Sequence, residues 1–211
     1  MVSIDPKIWG PSAWLLLHDV GFYAAKKNDS GTLADARTFF MSLRHILPCT
    51  RCQLSYDMHV LDLPFPKTSS RLPRWVYNLH NRVNDTISKN IDKPVWETWH
   101  IEYQRRMQSH RLRDIWPFVQ SIAETYPHGD GYDVAVYQEN VATFFRLLWR
   151  FLRDMKGYSG DVSHVETMIA PGELERRIGS RNAFREWITT IGRTVHIVHE
   201  KHYQCSNTCK K

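Results

Sequence analysis

The sequence predicts an all-α protein built from two helical halves. Apolar residues recur at helical spacing along most of the 211 residues, and the alternation typical of strands is nowhere sustained. The helical register changes after Lys93-Pro94, which divides the chain. We therefore expect a first helical domain at residues 1–98, a second at residues 99–200, and a flexible tail at residues 201–211.

The first half contains four predicted helices, each identified from its apolar periodicity. They cover about residues 12–25, 33–46, 48–61 and 71–88, with a loop rich in proline and serine at residues 63–70. The third helix begins at Pro48 or Cys49, because proline is well accommodated in the first turn of a helix.

The second half begins with a polar, basic stretch at residues 96–114, followed by further helices from Trp116. Two interpretations of the basic stretch are open, a solvated helix face and a surface for an acidic partner or lipid head groups. Parts of this half repeat the first half: Thr143-Phe144-Phe145 follows the pattern of Thr38-Phe39-Phe40, and Ser180-Arg181 with Trp187 follows Ser70-Arg71 with Trp75. Internal duplication and chance similarity between amphipathic helices both explain this echo.

A gapless alignment of the two halves places Asp154 and Gly157 where the first half has Cys49 and Cys52. A duplicated second half would therefore have lost its thiols.

Composition excludes some classes of protein. The formal charge of +6 comes without a basic run in a known nucleic-acid motif, so no nucleic-acid partner is expected. No window approaches the roughly 20 apolar residues of a membrane span, and the N-terminus lacks the features of a signal peptide. We expect a soluble protein with no membrane span.

The four cysteines form two close pairs, Cys49 with Cys52 and Cys205 with Cys209. A Cys-x-x-Cys pair closes a small disulfide ring, and a helix start lowers the pKa of a thiol, so this spacing suits thiol–disulfide exchange. Zinc is the alternative, held by the four cysteines or completed by His59. The polar tail lacks the glycine-rich knuckle of structural zinc loops, so a thiol relay with no bound metal is favoured.

Aromatic and amide residues accompany the first cysteine pair. Trp14 and His18 share one helix face, and His80 and Asn84 share another, so two helices can grip a planar heterocycle. Tyr56 follows Cys52 by one turn. Each residue alone is also typical of a core or a helix surface, but together with the dithiol they favour a flavin site.

Over about residues 7–96 this set resembles the Erv/ALR family of FAD-linked sulfhydryl oxidases. The residues that carry the resemblance are Trp9-Gly10, Trp14, His18, Phe39-Phe40, Pro48, Cys49, Cys52, Tyr56, Trp75 and the block His80-Asn81-Arg82-Val83-Asn84. The resemblance implies a helical bundle, a four-helix core plus a short helix, that holds FAD non-covalently. It places Cys52 beside the isoalloxazine ring and makes Cys49 the outer sulfur. The positions implied to contact FAD are Trp9, Gly10, Trp14, His18, His80, Asn81, Val83 and Asn84. Lys89 and Lys93 compete for a role at the cofactor phosphates.

The resemblance also implies a reaction. Protein dithiol substrates would reduce a Cys205–Cys209 disulfide, which passes electrons to Cys49 and Cys52, then to FAD and molecular oxygen, giving hydrogen peroxide. An Erv-like scaffold without turnover, in a larger complex, is the alternative. A structural or idle tail pair is the alternative to the shuttle.

The second half is similar to the degenerate Erv copy of quiescin-type sulfhydryl oxidases. In the echo Gln120 replaces His18, and Gly192 replaces His80. We therefore expect no flavin there, and an intrachain pseudo-dimer where shorter members form a homodimer. Family members occur in the mitochondrial intermembrane space or, where virus-encoded, in the cytoplasm or virion, and the sequence does not decide between them.

Overall fold

The computed structural model describes residues 3–87, 92–127, 132–170 and 172–195. Within these ranges the chain forms ten α-helices and two short 3-10 turns, and contains no strand. The predicted all-α fold class is confirmed.

Helix α1 (Pro6–Lys27) starts earlier than its apolar periodicity indicates. The Asp5 side chain caps it by accepting from the Lys7 backbone N–H at 2.9 Å, and Pro6 occupies the first turn, where its missing N–H costs nothing. The helix ends at Asn28, which adopts the left-handed conformation with φ 51°.

Three further helices complete the predicted set in the first half. They are α2 (Ser30–Ile46), α3 (Thr50–Asp62) and α4 (Leu72–Ile87), the last preceded by a 3-10 turn at Ser69–Arg71. Cys49 caps α3 rather than lying inside it. The predicted loop at residues 63–70 is confirmed apart from that short turn.

Helix α5 (Trp96–Arg106) occupies the predicted basic stretch and packs against α1. Tyr103 donates to Leu15 O at 2.9 Å and stacks on Phe22 at 5.3 Å, whereas the arginines of the stretch are exposed. A domain boundary between residues 98 and 99 would cut this helix. We propose instead that the first domain extends to about residue 109.

The described residues of the second half form five helices. They are α6 (Leu112–Glu124), α7 (Tyr132–Asp154), α8 (Ser159–Ser163), α9 (Glu173–Arg177) and α10 (Arg181–Thr194). Helix α6 packs on α1 and α7 packs on α2, so both halves contribute to a single hydrophobic core. At the α2–α7 contact Phe39 stacks on Phe144, with ring centroids 4.7 Å apart.

The two halves share local arrangements that the echo aligns. Trp75 Nε1 donates to Leu63 O at 2.9 Å, and Trp187 Nε1 donates to Met168 O at 2.8 Å. Trp75 lies edge-on to Phe40, as Trp187 does to the equivalent Phe145. Two amphipathic segments that are similar only by chance need not make the same tertiary contacts. The matched contacts therefore support the proposal that the second half is a copy of the first.

Candidate functional site

Cys49 and Cys52 form a disulfide at the N-terminus of α3, with a Cα–Cα distance of 5.1 Å. Cys49 is the N-cap residue, and the Cys52 backbone N–H donates to its Sγ at 3.2 Å. Since the first N–H groups of a helix have no partner within the helix, they stabilise negative charge placed there. The local fold thus favours a thiolate on Cys49 once the disulfide is reduced.

The two cysteines differ in exposure. Cys49 is 7% exposed, whereas Cys52 is half-buried. The segment before α1 lies near Cys49, because Ile4 N–H donates to Pro48 O at 2.9 Å. Cys52 is therefore the more open of the pair, although the sequence analysis assigns the outer position to Cys49.

A second cluster joins α1 to α4. His18 Nε2 lies 3.1 Å from His80 Nδ1, and His80 stacks on Trp14 with ring centroids 4.1 Å apart and an interplanar angle of 9°. The structure thus brings together three of the predicted site residues, which are separated by up to 66 positions in the sequence.

Both imidazoles of this pair are neutral near pH 7. Burial lowers the pKa of His80 to about 4. Burial, reinforced by the neighbouring His80, holds the pKa of His18 well below its ordinary value. Neutral rings suit contact with an uncharged heterocycle, because no ionic charge has to be desolvated.

Two observations fit the FAD that the resemblance implies. His18 Nδ1 is buried and has no hydrogen-bond partner in the described part of the chain, which is costly unless a ligand supplies one. A Cβ placed on Gly10 would meet no atom within 4 Å, which leaves room for a close approach to the backbone of α1. On α4, the helix that carries His80, three further predicted contact residues are half-buried: Asn81, Val83 and Asn84. The residues present therefore fit a flavin nucleotide held between α1 and α4.

Two residues that are predicted to contact the cofactor also pack in the core. Trp9 is 5% exposed, stacks on Phe118 of α6 and donates its indole N–H to Ile4 O at 3.1 Å. The Tyr56 hydroxyl donates to Phe40 O at 2.9 Å, and burial raises its pKa. Both side chains therefore have packing roles, and their contacts with a cofactor stay predictions.

The phosphate-binding lysines remain predictions. Lys93 Nζ pairs with Asp85 at 2.7 Å, which keeps it next to the C-terminal half of α4. Lys89, Cys205 and Cys209 lie outside the described residues.

Helix α5 adds an aromatic wall to the site, which the sequence pattern did not predict. Trp99 lies edge-on to His18 at 4.8 Å, and Tyr103 lies 5.3 Å from the same ring. With Trp96 they form an aromatic stripe at spacings of three and four, a helical signal within a stretch that the sequence analysis treated as polar and basic.

A buried carboxylate lies next in sequence to His18. Asp19 has no exposed surface and accepts from Tyr103 OH at 2.9 Å, His110 Nδ1 at 2.9 Å and Tyr158 OH at 2.5 Å. Burial and the Asp19 charge raise the pKa of both tyrosines. Because Tyr158 follows α7, this network ties the second half to the α1–α5 wall.

The positions that the echo aligns with Trp14, His80 and Cys52 are closed. Trp116, aligned with Trp14, fills the space at Gly192, where a Cβ would lie 2.8–2.9 Å from its indole ring. A Cβ on Gly157, aligned with Cys52, would collide with His110 O. Asp154, aligned with Cys49, accepts from Tyr23 OH at 2.7 Å.

The described residues contain no group of three or more His, Cys, Asp or Glu side chains placed to hold a metal ion. His59, which the zinc alternative uses, lies 3.5 Å from Thr86 Oγ1 at the other end of α3 from the cysteines. Among the helices that the structure describes, none is long and apolar enough to cross a membrane.

Comparisons with known proteins connect this site to a family. Residues 11–108 match the profile of the Erv1 / Alr family. The probable FAD-linked sulfhydryl oxidase of Acanthamoeba polyphaga mimivirus is 34% identical over 93 residues, which cover 42% of this chain and 64% of that protein. The mitochondrial FAD-linked sulfhydryl oxidase ERV1 of Saccharomyces cerevisiae is 31% identical over 96 residues, covering 44% and 50%. The FAD-linked sulfhydryl oxidase of African swine fever virus is 26% identical over 84 residues, covering 39% and 71%.

The chain thus spans between half and two thirds of the mimivirus and yeast relatives. No solved structure matches the chain. The matched stretch contains the Cys49–Cys52 disulfide, the His18–His80 pair and the aromatic wall of α5. Over residues 11–108 the chain is therefore similar to the Erv1 / Alr family.

Proposed function

We propose that this protein is an FAD-linked thiol oxidase that introduces disulfides into protein substrates. The observation that carries the proposal is the Cys49–Cys52 disulfide at a helix N-terminus, within a domain whose relatives are named FAD-linked sulfhydryl oxidases. The orphaned His18 Nδ1 and the open space at Gly10 support a nucleotide cofactor between α1 and α4.

The protein's own part in the reaction is thiol–disulfide exchange. A substrate thiolate attacks Cys49 Sγ, the Cys49–Cys52 bond breaks, and Cys52 leaves as a thiolate. The second substrate thiolate attacks the substrate sulfur of the mixed disulfide, so the substrate disulfide forms and Cys49 leaves. The Cys52 N–H next to Cys49 Sγ stabilises this leaving thiolate.

Bound FAD supplies the two-electron acceptor that returns Cys49 and Cys52 to the disulfide. His18, His80 and Trp14 would hold it on α1 and α4. Summed over a cycle, one dithiol and one dioxygen give one disulfide and one hydrogen peroxide. In this proposal Cys205 and Cys209 supply a second route: their disulfide is reduced by a substrate dithiol, and their thiolates then reduce the Cys49–Cys52 disulfide by the same two exchanges.

The second half has a different role in this proposal. Its helices α6 and α7 cover α1 and α2. The space that corresponds to the flavin cluster of the first half is filled by Trp116, and Gly157, which aligns with Cys52, has no room for a side chain. We therefore propose an intrachain pseudo-dimer with one FAD per chain. The compartment stays a proposal as well: the yeast relative is named mitochondrial, and two other relatives are viral.

The visible absorption spectrum of the purified protein tests the function. A bound-flavin spectrum should bleach on adding dithiothreitol and recover as oxygen is consumed, with a flavin-to-chain ratio of one. A Cys52→Ser variant should lose turnover, whereas Cys209→Ser should still oxidise dithiothreitol. A colourless protein that takes up no added FAD would overturn the proposal.

Trapping experiments decide which cysteine meets the substrate. If Cys49 is the outer sulfur, the Cys49 thiolate of Cys52→Ser should attack an oxidised protein disulfide and retain one of its sulfurs as a mixed disulfide while the other leaves as a thiolate, and Cys49→Ser should not. The opposite result would assign the outer position to Cys52, the more exposed residue.

A further inference from the structure

Helix α3 displays an apolar stripe to solvent. Leu54, Met58 and Leu61 are 66%, 64% and 72% exposed, and their spacing of four and three residues places them on one side of the helix. We refer to these three residues as the α3 stripe. The opposite side of the same helix carries Cys52 and Tyr56, which contact the core.

Neighbouring helices do not need this stripe for packing. The α1 and α2 surfaces are covered by α6 and α7, and α3 packs on α2 and α4 with its other side. Scattered single apolar residues on a surface are ordinary, but three aligned on one helix are more typical of a recognition face.

The charges around the stripe are uneven. The acidic residues Asp57 and Asp62 of α3 are paired, with Arg44 at 2.8 Å and Arg82 at 2.9 Å. Arg51 lies between the two cysteines, is exposed, and forms no ion pair with any other residue that the structure describes. The face therefore offers apolar side chains along its length and an unpaired positive charge at its disulfide end.

We infer that the α3 stripe is the docking surface for the thiol-bearing segment of the substrate protein. This inference rests on the proposed function. The partner is a stretch of polypeptide with a cysteine thiolate, attracted by Arg51, and apolar side chains that cover Leu54, Met58 and Leu61. An unfolded or partly folded chain offers both features, because its apolar residues and cysteines are still exposed.

Two properties of the stripe favour a transient protein substrate over a second copy of this chain. Three side chains fall far short of the roughly 20–30 residues a side that a stable interface uses. Met58 is flexible and polarisable, which suits contact with many different sequences. Leu54, the first residue of the stripe, follows by five residues the N-cap Cys49, which a substrate thiolate attacks in the proposed function.

Turnover with two substrates tests this inference. The triple variant Leu54→Gln, Met58→Gln, Leu61→Gln keeps side-chain size and helix propensity but removes the apolar surface. With reduced, unfolded ribonuclease A as substrate, its KM should rise about 10-fold with little change in kcat, the equivalent of about 1.4 kcal/mol. With dithiothreitol, which is too small to reach the stripe, its kinetics should match the wild type.

Ile101→Gln is the matched control, because Ile101 is 52% exposed on α5 and should leave both substrates unaffected. An unchanged KM for ribonuclease in the triple variant would overturn the inference. So would an equal loss with dithiothreitol, or a wild-type dimer that the triple variant converts to monomer without a change in KM. A wild-type protein that oxidises neither substrate would refute the proposed function itself.

Discussion

At the scale of single residues, Asp19 requires an explanation, because a carboxylate without exposed surface is costly unless its oxygens are satisfied. Its three donors, Tyr103, His110 and Tyr158, come from three different segments after α1. Hydrogen bonds to a charged acceptor are stronger than neutral ones. The network therefore fixes the turn after α7 against the wall of the cofactor site.

A Tyr158→Phe substitution should destabilise the protein by about 2–3 kcal/mol, because it removes a donor to a buried charge and leaves the packing intact. Tyr137→Phe is the control, since that buried hydroxyl has neutral hydrogen-bond partners, Ile122 O at 2.6 Å and the Thr125 side chain, and its loss should cost about 1 kcal/mol. Urea denaturation measures both. Equal losses would show that the Tyr158 hydrogen bond to Asp19 contributes no more than a hydrogen bond to a neutral acceptor.

The His18–His80 pair predicts how stability depends on pH. Unfolded His80 takes up a proton near its ordinary pKa of 6.5, whereas the folded residue does so only near 4. Stability should therefore be complete above about pH 6.5 and fall as the pH drops toward 4. His80 alone accounts for about 2 kcal/mol of loss at pH 5, and His18 acts in the same direction.

Urea unfolding at pH 7.5 and pH 5, at one fixed FAD concentration, measures this loss. A His80→Gln variant should lose clearly less stability between the two pH values, because glutamine does not titrate. An identical loss in the variant would assign the pH dependence to other groups.

At the scale of secondary-structure elements, α6 and α10 meet in a way that α1 and α4 do not. In the first half Trp14 stacks on His80 from α4, but in the second half Trp116 lies directly against the backbone of Gly192 in α10. The missing side chain lets the two helices approach and leaves Trp116 only 3% exposed. The same pair of aligned positions thus forms the Trp14–His80 stack of the candidate site in one half and close helix packing in the other.

Gly192→Ala should destabilise the protein by about 1–2 kcal/mol. Overpacking against the Trp116 ring costs roughly 1–3 kcal/mol, which exceeds the gain of up to about 1 kcal/mol from replacing a helical glycine. Gly160→Ala in α8 is the control, because its Cβ would meet no atom within 4 Å, so stability should hold or rise. Thermal denaturation of both variants tests this prediction. A Gly192→Ala variant that is more stable than the wild type would contradict the close contact with Trp116.

The sequence predicts the elements better than their contacts. Helices α2 and α4 lie within a few residues of their predicted bounds, because apolar periodicity marks the buried face and Asp29 caps α2. The start of α1 depended on Asp5 and Pro6, signals outside the periodic region. Helix α5 was not predicted because its inward-facing residues, the half-buried Trp99 and the buried Tyr103, lie among exposed charges.

Within the site, spacing alone correctly placed Trp14 with His18 on one helix face. It could not place His18 against His80, because that contact depends on how α1 crosses α4. Nor could it reveal that the Trp9 indole and the Tyr56 hydroxyl are satisfied by Ile4 and Phe40 carbonyls.

At the scale of the whole molecule, the equivalent helices of the two halves pack on each other, α1 on α6 and α2 on α7. A symmetric dimer contact has this property, because the same surface is used on both sides. Here the contact lies within one chain, and no solvent layer separates the halves, since buried residues from both form one cluster. The halves should therefore unfold together rather than as independent domains.

A cavity in the second half tests this coupling. Phe184 in α10 is fully buried among Tyr126, Phe145 and Trp187. All four lie far along the chain from the cluster that His18 and His80 form. Phe184→Ala should cost about 3–5 kcal/mol. In a urea titration, flavin release reports the first half and helical circular dichroism reports the whole chain. If one core stabilises both halves, the two midpoints should coincide in the wild type and shift down together in the variant. A flavin-release midpoint that stays in place while part of the helical signal is lost would show that the first half folds alone, and that the second half covers α1 and α2 without stabilising the site.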